Sequence, residues 1–386
     1  MNIILYVGMD VHSRTYTLCT YRAGEEQARY IQKMEAGVGN IVKYLDGVRS
    51  NYFGCEVEFQ CGYEAGCLGY ELYRQLTAKG INCTILAPST IPVPAGKKRI
   101  KTDARDAANI AKCLANGNYS SVAVPTAQDE RVKEYLRMRE DFVDSQRRVK
   151  QRILAFCVRK GKRFTGTRNN WTDAHRKWLR SLVLTGLDQE TLNEYLLALD
   201  QLEEKISRID KRIEEIAAAS QYAKSVGKLR CFLGIENYTA LSLIAEVSDF
   251  VRFKTAKSFA AFLGLIPGEH TSDTSCHRLS ITKAGNSHLR KLLVEAAQCY
   301  SRGKPGYKSR GLLAKQEGNP PDVIAYADRA NTRLRNKYYK MILGKQKNAN
   351  VAKTAIAREL ACFIWGMMTD HRPLLLEPGD LTFADA

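Results

Sequence analysis

The sequence predicts an α/β N-terminal domain followed by a mainly α-helical remainder. Three observations predict it. Up to about residue 125, short strand-like apolar runs alternate with amphipathic helical stretches. Beyond that point, long helical patterns rich in Arg and Lys take over. Four acidic residues, Asp10, Glu64, Asp103 and Asp106, fall on three separate N-terminal elements that a fold can bring to one place.

In order, Leu5–Asp10, Thr15–Tyr21 and Ala28–Met34 read as three successive strands. Gly39–Val48 reads as a helix, Val57–Tyr63 as a strand, Leu68–Lys79 as a helix and Cys83–Leu86 as a short strand. A Pro-rich connection, Pro88 to Pro94, leads to a helix over Asp103–Leu114, with Thr102 as its N-cap. This βββαβαβ order followed by a helix is the order of a ribonuclease-H-like domain. In that fold the acidic residues lie on the first strand, the fourth strand and the last helix, which are the elements that carry them here.

Glu130–Lys160 is a long basic helical pattern, and a basic, Gly-containing break follows at Gly161–Trp171. A second helix runs from about Gln189 to Ala219, with Leu192, Leu196, Leu199, Leu202, Ile206, Ile209, Ile213 and Ile216 at steps of three and four. That spacing approaches a heptad seam, so the region reads as an intersubunit or hairpin coiled coil, against the alternative of an ordinary amphipathic helix. Residues 224–372 read as a third, mainly helical region, and 373–386 as a loose acidic tail. Leu233-Gly234-Ile235-Glu236-Asn237 reads as a helix-hairpin-helix turn able to offer N–H groups to a phosphate. The resulting boundaries are 1–125, 126–223, 224–372 and 373–386.

With 386 residues and 45% hydrophobic content, the chain can build two or three cores. Its net charge of +18 attracts polyanions, nucleic acid foremost. From His277 to Arg358 eighteen Lys and Arg face four Asp and Glu, with Tyr300, Tyr307, Tyr326, Tyr338 and Tyr339 interleaved as stacking or core residues. No apolar stretch is long enough to span a bilayer, and the N-terminus lacks the pattern of a signal peptide, so a cytoplasmic protein without membrane partners is expected. The eleven cysteines include no Cys-x-x-Cys pair, and the six-residue spacing of Cys55, Cys61 and Cys67 does not suit zinc; they read as reduced, small apolar residues.

The acidic quartet carries the chemistry. Asp103 and Asp106 share a helix face, about 4.5 Å apart along the axis. Clustered carboxylates suit Mg²⁺, and a pair of such ions is a common device for attacking a phosphodiester. Lys97, Lys98, Arg99 and Lys101, just before Asp103, either meet phosphates or form a solvated loop. A second constellation spans Gly264–Asp273 and Ile281–Lys291. It places hydroxyl residues near Lys283, Asn286, Arg290 and Lys291, as either a phosphate-binding loop or a site for a serine nucleophile.

The segments Gly8-Met9-Asp10-Val11-His12, Tyr63-Glu64-Ala65-Gly66, Lys101-Thr102-Asp103-Ala104-Arg105-Asp106-Ala107, Leu263-Gly264-Leu265-Ile266-Pro267 and Ile281 to Arg290 occur in that order. Together they resemble the signature segments of the DEDD transposases of insertion-sequence family 110. These are bridge-RNA-guided recombinases related to Piv-type DNA invertases. The resemblance implies a RuvC-like N-terminal domain, a coiled-coil linker and a C-terminal transposase domain. It implies that Asp10, Glu64, Asp103 and Asp106 hold Mg²⁺, with Mn²⁺ as the alternative ion. It also implies a serine nucleophile at Ser272, with Ser275 as fallback. The match departs from the usual pattern at Thr271, at Asp273 in place of glycine, and at Ser280.

The activity implied is transposition of an insertion sequence by transesterification through a phosphoserine intermediate. The implied partners are donor and target double-stranded DNA, an element-encoded non-coding guide RNA, and further copies of the chain as dimers assembling to a tetramer, nucleoid-associated when on DNA. Competing readings are a Piv-type invertase, a metal-dependent nuclease or Holliday-junction resolvase in which water attacks, and a nucleic-acid-binding protein with a decayed site.

Overall fold

The computed structural model describes residues 2–92, 102–166, 169–272 and 275–371; the side chains of Ser89 and of residues 270–278 lie outside that description. The chain forms two compact units, residues 1–124 and 125–386.

The first unit contains β1 (Asn2–Val11), β2 (Thr15–Tyr21), β3 (Arg29–Glu35), α1 (Val38–Arg49), β4 (Glu56–Glu64), α2 (Glu71–Ala78), β5 (Asn82–Leu86) and α3 (Asp103–Asn116). The strands form one mixed sheet in the order β3-β2-β1-β4-β5. β1 runs antiparallel to β2 and parallel to β4. A meander followed by parallel strands, with helices between, is consistent with a ribonuclease-H-like fold.

Strand alternation sorts the side chains between two faces. Ile3, Leu5, Val7 and Met9 of β1 join Leu18, Cys61, Tyr63 and Ile85 in a core closed by Ile41 and Leu45 of α1 and Leu72 and Leu76 of α2. The opposite face carries α3. There Cys19 and Tyr21 pack against Ala107 and Ala111, and Leu86 packs against Ile110 and Leu114. At the centre of that face Gly8 and Gly62 are register partners. A Cβ on Gly8 would lie 2.0 Å from the Ala107 carbonyl oxygen and 2.5 Å from the Ala111 nitrogen; one on Gly62 would lie 2.9 Å from Leu114 and Leu86. The bare backbone of these two residues is what lets α3 lie so close to the sheet.

The second unit opens with α4 (Ala127–Arg159), α5 (Asp173–Ser181) and α6 (Leu187–Ala218). Lys160–Asp188, Arg139–Asp210 and Lys150–Glu203 ion pairs show that α4 and α6 run antiparallel. The seam anticipated on α6 is filled by α4 of the same chain. Leu192 and Leu199 pack with Ile153 and Phe156, while Ile209 and Ile213 pack with Val132 and Leu136. The apolar periodicity was legible; its partner was not, because a heptad pattern does not say which helix faces it.

The remaining elements are α7 (Ser220–Arg230), α8 (Asn237–Val247), α9 (Ala256–Phe262), β6 (Pro267–Ser272), β7 (Ser275–Ile281), α10 (Ser287–Ala297), α11 (Arg310–Gln316), α12 (Pro321–Tyr339) and α13 (Ala349–Met368). One core runs from α4 and α6 through α7 and α8 into α10, α12 and α13. Among the described residues no helix is long and apolar enough to cross a membrane.

The structure bears on two expectations for this unit. The turn at Leu233-Gly234 faces inward: the Leu233 N–H donates to Asn331 Oδ1, and Gly234 backs onto the Ala296 backbone. The Leu233 and Ile235 N–H groups are thus engaged within the fold. Of the interleaved tyrosines, Tyr300, Tyr326 and Tyr338 are buried core residues. Tyr307 is exposed.

Candidate functional site

The site is built on the α3 face of the sheet. From Gly8, two residues along β1 cover about 6.6 Å and reach Asp10. From Ala107, which meets Gly8, four residues back along α3 cover about 6 Å and reach Asp103. The equal steps bring strand end and helix start together. Asp10, Asp103 and His12 each offer a ligand atom within 4.8 Å of the others.

Glu64 ends β4 one step beyond the Met9–Tyr63 pair, which sets it beside Asp10 on the same face. Its side chain is exposed, and it stands outside the tightest trio. Asp106 lies one helical step from Asp103 and acts electrostatically on Asp10. Both α3 aspartates occupy the first turn, where the helix dipole favours negative charge, and the Thr102 hydroxyl caps that turn by accepting from the Arg105 N–H at 3.4 Å.

The carboxylates differ electrically. Burial raises the Asp10 carboxyl above its ordinary range; His12 opposes the shift, and Asp103 and Asp106 add to it. His12 Nε2 lies 3.3 Å from Asp10. Asp103 is held below its ordinary range, chiefly by a hydrogen bond and charge from Lys33, whose Nζ donates at 2.8 Å. Among the described residues Asp10 thus has a histidine beside it, while Asp103 already holds a cation. Oxygen donors on three elements, with a protein ammonium already drawn to one of them, fit a hard divalent ion.

His12 and Lys33 were missed as site residues. His12 carried a signal, since i and i+2 on a strand share a face and His12 follows Asp10 by two. Lys33 carried none, because its placement depends on strand register.

Lys97, Lys98, Arg99 and Lys101 lie outside the described residues. In the second unit, the segment expected to hold a nucleophile forms the β6–β7 hairpin, in which Ser272 pairs with Ser275. The side chains of both serines, and Asp273 altogether, lie outside the described residues. Its polar, Gly-containing sequence lacks apolar alternation and so predicts a loop, where the structure forms a hairpin.

The following turn is tightly seated. Lys283 is exposed at a positive φ of 55°, and a Cβ on Gly285 would lie 2.1 Å from the Phe262 carbonyl oxygen. Asn286 caps α10 by accepting from the Leu289 N–H at 3.0 Å and donates to Glu246 at 2.9 Å. Arg290 donates to the Leu263 carbonyl at 2.9 Å, and Lys291 pairs with Glu140. Three of the four polar residues expected at nucleic acid here are thus engaged within the fold, and Lys283 stands on its surface.

Comparisons with known proteins give the family. A family model described as a transposase, of the DEDD IS110 type, matches residues 7–159. A second, the IS116/IS110/IS902 family transposase, matches 228–310. The chain is 32% identical over 342 residues to the transposase for insertion sequence element IS1533 of Leptospira borgpetersenii, covering 86% of this chain and 95% of the relative. It is 32% identical over 371 residues to y4qE of Sinorhizobium fredii, named as a transposase, covering 95% and 89%. It is 25% identical over 336 residues to the transposase for insertion sequence element IS1111A of Coxiella burnetii, covering 85% and 88%. With the sheet order and clustered carboxylates in place, the chain belongs to the IS110/IS116 family of DEDD transposases.

Proposed function

We propose that this transposase is an RNA-guided recombinase in which Asp10, Glu64, Asp103 and Asp106 hold Mg²⁺ and Ser272 is the nucleophile. The observation that supports the reading most directly is the convergence of Asp10 and Asp103 within one ligand-sized space. When bound, the ion would polarise the scissile phosphate and favour the ionised serine.

The residues of the chain do the rest. Asp10, half-buried at the end of β1, fixes one side of the site. Ser272 Oγ gives up its proton and attacks phosphorus. The P–O3′ bond breaks, the 3′ oxygen takes a proton, and the strand end is held as a phosphoserine. The 3′-hydroxyl of the exchanged strand then attacks the same phosphorus, releasing Ser272 and joining new partners. Bond number is conserved, so no nucleotide cofactor is consumed. The carboxylates and the serine belong to different units, so the reaction calls for both on one phosphate, in an assembly of dimers pairing to a tetramer. The α4–α6 hairpin serves as the coiled-coil linker of that assembly. Base pairing of the guide RNA reads donor and target, while Lys283 and the cations at Lys97, Lys98, Arg99 and Lys101 hold backbones.

The test is incubation with labelled donor and target DNA and the RNA encoded beside the gene, read on denaturing gels. The expected result is a Mg²⁺-dependent protein–DNA adduct absent in Ser272→Ala and in Asp10→Asn. Cleavage that persists in Ser272→Ala without an adduct would replace this reading with a water-attacking nuclease.

A further inference from the structure

The Lys33–Asp103 pair is unlike the other ion pairs of the first unit because the fold goes out of its way to make it. On the turn side, Thr20 of β2 pairs with Arg29 of β3; further along, Leu18 pairs with Gln32 and Thr17 with Lys33. One extra residue therefore sits in β3, and Tyr30 there adopts φ 51°, the left-handed region that a bulky residue rarely enters. Had the turn-side register continued, Lys33 would stand opposite Tyr16 and point to the α1 face. A one-residue slip reverses every side chain beyond it.

The bulge is tied down from behind, since Tyr44 of α1 donates its hydroxyl to the Tyr30 carbonyl at 2.8 Å and lies 2.8 Å from the Thr20 hydroxyl. The result is a row across three strands on the α3 face, Lys33, Thr17 and Asp10, with the ammonium of the first on Asp103. Asp10 is also within electrostatic reach of Lys33.

Stability does not account for this device. Both partners are substantially exposed, Lys33 at 61% and Asp103 at 40%, and exposed ion pairs contribute little. We propose that Lys33 is a displaceable counter-ion, delivered by the β3 bulge, that occupies Asp103 until a divalent cation takes that carboxylate. The ion must evict an ammonium before it gains its ligand, so metal entry is opposed until conditions favour it, and entry leaves a mobile cation at the rim for an anionic substrate. The inference rests on the carboxylates being the metal site.

The test is titration of the full-length protein with Mn²⁺, following free Mn²⁺ by its electron paramagnetic resonance signal, with no DNA present. Lys33→Met, at an exposed position where folding is not at stake, is expected to bind Mn²⁺ roughly fivefold more tightly, an advantage that shrinks as salt screens the competing charge. Lys33→Arg, which keeps the charge, is expected to match the wild type. Unchanged or weaker affinity in Lys33→Met, alongside lost affinity in Asp10→Asn, would overturn the counter-ion role alone. Full affinity in Asp10→Asn would overturn the metal-site reading and the counter-ion role with it.

Discussion

Two carboxylate clusters, one in each unit, show opposite solutions to the same electrostatic problem. Around Asp10 and Asp103 one carboxylate accepts from Lys33 at 2.8 Å, and the other, Asp10, is raised by burial. Around Glu246 several donors converge. Its side chain is 3% exposed and accepts from Arg137 at 2.7 and 3.1 Å and from Asn286 at 2.9 Å, with Lys133 at 3.6 Å. Burial pushes the Glu246 carboxyl up, but these donors together outweigh it and hold it below its ordinary range. A carboxylate saturated by its own protein is structural: Glu246 ties α4 to the capping residue of α10. Asp10, beside which the described residues place His12 at 3.3 Å, is neutralised less fully.

The largest expected effect breaks the first cluster from beneath. Gly8→Ala would drive a methyl group into the backbone of α3, costing about 3 kcal/mol or more in chemical denaturation and displacing Asp103 from Asp10. Next comes the saturated cluster. Glu246→Gln would keep one accepting oxygen but remove the negative charge facing Arg137 and Lys133, and cost about 2 kcal/mol. Because the folded carboxyl titrates below its ordinary value, its contribution is present above that ordinary value and is lost as pH falls through the folded one. The variant should therefore show a flatter acid limb in a stability–pH series.

Asp10→Asn should behave in the opposite sense. The folded carboxyl titrates above its ordinary value, so its contribution is favourable below that ordinary value and is lost as pH rises through the folded one. In the absence of metal the variant should stay within about 0.5 kcal/mol of wild type, or exceed it, at neutral pH. Calorimetry with Mg²⁺ at ten times its Kd should stabilise the wild type by about 1.4 kcal/mol and leave Asp10→Asn unmoved. The smallest effect sharpens the contrast at its edge: Thr102→Ala removes a long capping bond and should cost about 0.5 kcal/mol, read as a small drop in Tm.

How much of this was legible in the sequence follows from the range of the interactions involved. Asp10, Glu64, Asp103 and Asp106 could be found because each sits at the end of an element announced by local periodicity, and the order of those elements implies a shared face. The partner of the α6 seam could not be found, nor could the inward burial of Tyr300 or the engagement of Arg290 with the Leu263 carbonyl, because each depends on a distant segment. Lys33 is the clearest case. In sequence it is one lysine in an exposed strand, and only the bulge at Tyr30, itself a product of strand pairing, turns it toward α3.

The glycine seat under α3 also bears on how such a chain can diverge. Where helix and sheet meet through side chains, every change of volume in the contact shifts their separation, and lineages must compensate one substitution with another. Here the central contact is peptide against peptide. The spacing between Asp10 and Asp103 is consequently inherited from backbone geometry common to all sequences, while Ile41, Leu45, Leu72 and Leu76 on the far side of the sheet are free to drift. Relatives at 25–32% identity should therefore differ most in the α1–α2 core and least in the separation of α3 from β1, a difference that superposing their structures would measure directly.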